Sequence, residues 1–147
     1  MKAKCKIPTK EDWYGYKADP EVRYFHKLAF GKRYNEILSS FEGGRSIERA
    51  DDLLYSPRAV FQYYIYSFTE YLKSKLAIED SDAASSFLRL LIAREGKDPS
   101  SVTEIYPNLQ GTIEYVASHQ VYFDADIDIY GSFPDLAEQI KRACNPS

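Results

Sequence analysis

An all-α fold is predicted by three features of the chain. Apolar residues recur at spacings of three and four, and strand-like alternation is scarce. Cap-and-proline signals stand directly in front of several of these stripes, as at Ser56-Pro57, Asp98-Pro99 and Ser132-Phe-Pro-Asp135. The 147 residues, 44 % hydrophobic and 28 % charged, have the size and composition of one soluble globular unit. Residues 1–147 are therefore expected to form a single compact helical domain of about six to seven helices.

Val22, Phe25 and Ala29 form a stripe on a helix predicted from about Pro20 to Phe30. A short segment, Arg33 to Phe41, ends at the glycine pair Gly43-Gly44, and Ser46 to Leu54 reads as a third helix. The next has the clearest pattern. It opens at Ser56-Pro57 and runs to about Leu76, with Phe61, Tyr64, Ile65, Phe68 and Leu72 at i, i+3, i+4, i+7 and i+11. Tyr63 and Tyr66 fall on its other side, so its first half is aromatic nearly all round and belongs at the centre of the fold. Ser81-Asp82 caps a helix to Arg94, stopped by Gly96, with Phe87, Leu88, Leu91 and Ile92 inward. Asp98-Pro99 opens a short helix to about Ile105, and Tyr106-Pro107 opens another to about Tyr122. Ser132 to Asp135 fits a capping box before Leu136, Ala137 and Ile140.

Charge is unevenly distributed. Residues 1–60 hold twelve Lys/Arg against nine Asp/Glu, whereas residues 61–147 hold seven against thirteen. No cation occurs between Lys97 and Lys141, a stretch that carries Asp98, Glu104, Glu114, Asp124, Asp126, Asp128, Asp135 and Glu138. Such a run projects a negative field that attracts a basic partner. The cations of the first half are interleaved with acids, as at Glu48-Arg49, unlike the clustered stripe of a nucleic-acid binder, so no nucleic-acid partner is expected. The opening Met-Lys-Ala-Lys-Cys-Lys lacks a following apolar h-region, and the run Ala59 to Tyr66 is too short to span a bilayer. A cytoplasmic protein without a membrane partner is expected. Cys5 and Cys144, one near each terminus, are read as two reduced thiols, although a bridge between them stays open.

Chemistry-bearing motifs are weak. As a calcium loop, Asp124, Asp126, Asp128 and Asp135 take positions one, three, five and twelve, but Ile129 stands where the sharp turn needs glycine. The Asp-x-Asp pair also lacks the alternating strands that a phosphotransfer aspartate would require. The three aspartates then read as a solvated loop with Ile127 and Ile129 turned inward. His26 and His119 are the only histidines, and nothing in their spacing demands a catalytic pairing. No catalytic residue, metal site or cofactor is expected.

What remains is binding. Carboxylates standing where phosphates would stand suit capture of a basic, nuclease-like protein, and aromatic residues at the centre of an interface supply affinity. Glu114, Tyr122, Asp124, Asp126, Asp128 and Tyr130 are the candidate partner-binding residues. In size and character, and through Ser81-Asp-Ala-Ala-Ser-Ser-Phe-Leu-Arg-Leu-Leu91 and Val116-Ala-Ser-His-Gln-Val-Tyr-Phe-Asp-Ala-Asp-Ile-Asp-Ile-Tyr-Gly-Ser-Phe133, the chain resembles the small cytoplasmic immunity proteins of bacterial toxin–immunity systems, including the contact-dependent growth-inhibition type. That resemblance implies inhibition of one cognate toxin by tight binding, without catalysis, and assigns no individual residue. The alternative is a helical regulatory module, with a homodimer through the tyrosine-rich helix left open. A calcium-binding protein and a helical enzyme using His119 with nearby carboxylates complete the readings.

Overall fold

The computed structural model describes residues 6–145, so any pairing of Cys5 with Cys144 lies outside the described residues. The fold is all-α: seven α-helices linked by 3-10 turns, with no strand among the described residues. They are α1 (Pro20–Ala29), α2 (Ser46–Tyr55), α3 (Arg58–Lys73), α4 (Ser81–Lys97), α5 (Tyr106–Ala117), α6 (Ile127–Tyr130) and α7 (Phe133–Cys144). No helix among these residues is long and apolar enough to cross a membrane.

The predicted stripes are the buried ones. Val22, Phe25 and Ala29 of α1 and all five residues of the α3 face lie in one contiguous core. α3 is the central element, touching α2, α4, α5 and the 3-10 turns on both sides of it in sequence. α4 packs on α2 and α7, and α7 packs on α5. Burying a Leu or Phe side chain is worth about 1.5–3 kcal/mol. The fully buried Phe61, Phe68, Leu72, Phe87, Leu88 and Leu91 therefore contribute substantially to the cohesion of the core, where the Phe68 and Phe87 rings meet edge to face at 5.4 Å. The tyrosines of α3 are used inside the fold. The Tyr64 hydroxyl lies 2.7 Å from the carbonyl oxygens of Ala29 and Lys32, and Tyr71 donates to Asp80 at 2.6 Å. Tyr63, also buried, accepts the Tyr34 N–H at 3.1 Å, so its hydroxyl too is engaged within the fold.

Several boundaries differ from the sequence reading. Ser56 does not cap α3; its hydroxyl bonds back to the Asp52 carbonyl at 2.7 Å and helps close α2. α4 is capped by Asp80, which accepts the Ala83 N–H, and it continues through Gly96 to Lys97. The segment after Asp98-Pro99 is a turn followed by a single 3-10 turn, Thr103–Ile105, rather than a helix. Its backbone is gathered by Glu95, whose carboxylate accepts the N–H groups of Ser100, Val102 and Thr103 and the Thr103 hydroxyl. Burial opposes ionisation of Glu95, but those four bonds outweigh it and hold the carboxyl below its usual range. α5 stops at Ala117, five residues early, and the short α6 stands where a loop was expected. α7 is as predicted, with the Ser132 hydroxyl accepting the Asp135 N–H.

Buried Arg94 ties three elements together. Its Nη1 donates to the carbonyls of Leu53, Leu54 and Ser56 at 2.7–3.1 Å, and its Nη2 donates to Asp98 at 3.0 Å. The carbonyls at a helix C-terminus lack intrahelical donors, so a cation at the end of α2 satisfies and neutralises them at once.

Candidate functional site

The segment from Ser118 to Ser132 joins α5 to α7 and holds most of the predicted binding residues. Successive turns shape it, with Phe123 N–H bonding to the His119 carbonyl and Asp124 N–H to that of Val121. Asp124 adopts a left-handed conformation at φ 57°, which aspartate tolerates better than most side chains. Phe123 and Ala125 plug into the core, with 0 % and 6 % of their surface exposed.

One glutamine holds the ends of this segment together. Gln120 Nε2 donates to the Ala125 carbonyl at 3.0 Å and to the Gly131 carbonyl at 2.8 Å, while its Oε1 accepts the Phe133 N–H at 2.9 Å. The α4 side braces the segment from outside. Arg89 Nη2 donates to the Tyr130 carbonyl at 2.7 Å. The Tyr130 hydroxyl donates to Asp82 at 2.9 Å and accepts from the Ser81 hydroxyl at 3.0 Å. Glu79 N–H bonds to the Tyr122 carbonyl at 3.1 Å, which lays the α3–α4 connection alongside. Gly131, at φ 79°, turns the chain under Arg89; a Cβ there would meet Nη2 at 3.4 Å.

Plugging Phe123 and Ala125 inward turns their neighbours outward. Val121 is 93 % exposed, Ile129 72 % and Ile127 58 %, and Asp124, Asp126 and Asp128 are exposed among them. Ile127 and Ile129 were expected to point inward. Instead the Asp126 carboxylate accepts the Asp128 N–H at 2.9 Å and caps α6, and the apolar side chains on that turn face solvent. Ile78 and Leu76, 56 % and 55 % exposed, lie on the adjoining α3–α4 connection. Positions 127–130 thus form a helical turn with Asp126 as its cap rather than an open loop. Among the described residues no group of three or more His, Cys, Asp or Glu is arranged to hold a metal ion.

The other predicted residues are divided. Tyr122 is half-buried, with its ring edge-on to Phe123 at 5.2 Å and to His119 at 6.1 Å, so it supports the loop as much as it is presented. Tyr130 is half-buried, with its hydroxyl bonded to Asp82 and Ser81. Glu114 lies elsewhere, beside the groove between α5 and α7 with Glu138 and Lys141, where it accepts from Gln110. His119 stacks on Tyr115 at 4.2 Å, with its Nδ1 2.7 Å from the Tyr115 carbonyl and 3.0 Å from the Ser118 hydroxyl.

The acidic field is smaller than the charge run implies. Arg58, forty residues upstream, clasps Asp98 through two nitrogens at 2.6 and 3.2 Å and also reaches Glu104 at 3.1 Å. Hydrogen bonds from Arg58 and Arg94 hold the Asp98 carboxyl below the usual range. Asp98 and Glu104 are thus paired with cations, whereas Asp124, Asp126 and Asp128 make no ion pair with a described residue. Reading the sequence alone missed Gln120, Arg89 and the exposed Val121, Ile127 and Ile129. The Asp126-Ile-Asp-Ile pattern was the one available signal, since an aspartate two residues before an N–H can cap a short helix.

No protein-family model matches the chain, and neither a curated protein nor a solved structure does.

Proposed function

We propose that the protein is an immunity-type inhibitor, a cytoplasmic binding protein that neutralises one cognate basic, nuclease-like toxin through the loop from Val121 to Tyr130. One observation carries this reading. The loop presents Val121, Ile127 and Ile129 to solvent beside Asp124, Asp126 and Asp128, while Gln120, Arg89 and Tyr130 hold its backbone in place. Covering three such aliphatic side chains is worth on the order of 5 kcal/mol, given their partial exposure. A loop already fixed in shape avoids part of the ordering cost of association. The carboxylates attract a basic surface, raising the association rate and selecting against acidic partners.

Asp124 and Asp126 also shape the loop, so the cleaner perturbation lies at residues that only face outward. The test is co-expression with the product of the adjacent upstream gene. The wild-type chain is expected to restore growth, and the variant carrying Val121→Lys, Asp128→Lys and Ile129→Lys is expected to fail while melting at the wild-type temperature. A Glu70→Lys control, on the exposed side of α3, should still protect. A harmless neighbouring gene product would overturn the immunity reading. Full protection by the triple variant would overturn the assignment of the loop.

A further inference from the structure

A second surface, on α1, has the opposite character. Arg23, His26, Lys27 and Phe30 fall at i, i+3, i+4 and i+7, a stripe distinct from the buried Val22, Phe25 and Ala29. The 3-10 turn Tyr16–Ala18 packs against α1 and lays Tyr16 on the imidazole, with ring centroids 3.7 Å apart and planes within 12°. His26 also stacks on Phe30, at 4.7 Å and 26°. The result is a column of three rings, Tyr16–His26–Phe30, ending at a phenylalanine 43 % exposed.

Cations surround this column. Lys17, Arg23 and Lys27 line the same groove of about 550 Å³ with the three rings, and no carboxylate lines it. None of the three cations forms an ion pair with a described residue. Arg23 donates to the Lys17 carbonyl at 3.0 Å, which holds the two side by side. Burial and the Lys17 charge both depress the His26 pKa, favouring a neutral ring in the stack. In a chain of net charge -3, an acid-free cationic groove built on stacked rings is a local arrangement rather than a result of composition. Its volume falls within the range of about 300–1,000 Å³ found for small-ligand sites.

We propose that this groove binds a nucleoside phosphate, with the base stacked on the exposed end of the ring column and the phosphate held by Lys17, Arg23 and Lys27. Aromatic faces accept any base, and lysine and arginine supply the charge that a phosphate needs. The same chemistry is offered by a free mononucleotide and by a nucleotide within a single strand. The site is independent of the Val121–Tyr130 loop and does not rest on the binding function proposed for it.

The test is calorimetric titration of the full chain with AMP, adenosine and inorganic phosphate at low and at raised salt. AMP is expected to bind with a submillimolar Kd at low salt and to weaken at raised salt, with adenosine and phosphate each about tenfold weaker or more. Phe30→Ala should lose about fivefold or more of AMP affinity, the low end of one base–aromatic stack, measured well below its own melting temperature so that the chain is folded throughout. Lys17→Glu with Lys27→Glu should lose about tenfold or more. A fluorescent single strand of about twelve nucleotides identifies the source: tighter binding with a steeper salt dependence marks a strand, and affinity no better than AMP marks the free nucleotide. Absence of AMP binding at low salt overturns the proposal, as does phosphate binding as tightly as AMP, or indifference to Phe30→Ala. Binding to vesicles of anionic lipid without binding to AMP likewise overturns it.

Discussion

Replacing Gln120 tests how the Val121–Tyr130 loop keeps its shape. The side chain makes three hydrogen bonds of 2.8–3.0 Å, to the Ala125 and Gly131 carbonyls and from the Phe133 N–H. A typical intramolecular hydrogen bond contributes about 1 kcal/mol net, with a spread of about half that, so the set is worth about 3 kcal/mol. Gln120 is half-exposed, and water can reoccupy part of the gap, which brings the expected cost of Gln120→Ala to about 2 kcal/mol. For a chain of this length that corresponds to a fall in Tm of about 4–8 °C. Gln120→Glu keeps the shape and the acceptor for Phe133 but cannot donate to either carbonyl, so it should destabilise as well. Urea unfolding followed by circular dichroism reads both costs, and hydrogen exchange of the Phe123 and Ala125 amides reads the loop directly. Wild-type stability of Gln120→Glu, within about 0.5 kcal/mol, together with unchanged exchange at those amides would refute the clamp.

Three further outcomes follow from the packing. Arg94→Met leaves three carbonyls at the end of α2 without this donor, while Asp98 keeps Arg58, and it should cost about 3 kcal/mol in urea unfolding; under about 1 kcal/mol would contradict the role given to Arg94. Tyr130→Phe should cost about 1 kcal/mol and speed exchange at the Gly131 amide, since the loop loses its tie to Ser81 and Asp82. Burial pushes the Asp52 carboxyl up to about 6, with the Arg49 charge and hydrogen bond pulling the other way and Glu21 and Asp51 adding to the rise. Between about pH 4 and 6 the folded chain therefore binds more protons at Asp52 than the unfolded chain. The stabilisation from this group is complete below about pH 4 and is lost as pH rises through 6. Relative to wild type, Asp52→Asn should gain roughly 1–3 kcal/mol between pH 4 and pH 7; a constant difference across that range would contradict the shift.

The helices were legible wherever a buried stripe and a local cap coincide. α7 carries both, with Ser132 ahead of Leu136 and Ile140, and α1 carries Asp19 and Pro20 ahead of Val22 and Phe25. Ser56 misled because its hydroxyl can bond backward to Asp52 as readily as it can cap α3. The inward placement of Ile127 and Ile129 failed for a packing reason. Phe123 and Ala125 already fill the core beneath the loop, leaving the isoleucines on the outside of the turn capped by Asp126. Clustering of charge was the least legible property. Arg58 pairs with Asp98 and Glu104 across some forty residues of sequence, which no local reading of the acidic run contains. The basic groove on α1 went unseen because acids interleave with its cations in sequence. Folding places Glu21 in the neighbouring pocket with Arg49, Asp51 and Asp52, away from Arg23 and Lys27.

The most direct test of the proposed binding surface is hydrogen exchange on the protein alone and mixed with the product of the adjacent upstream gene, the partner that the proposed function requires. Slower exchange confined mainly to residues 120–130 and the adjoining 76–80 segment on complex formation is the result the account predicts. A complex that protects other helices and leaves those amides exchanging at their free rates would contradict it.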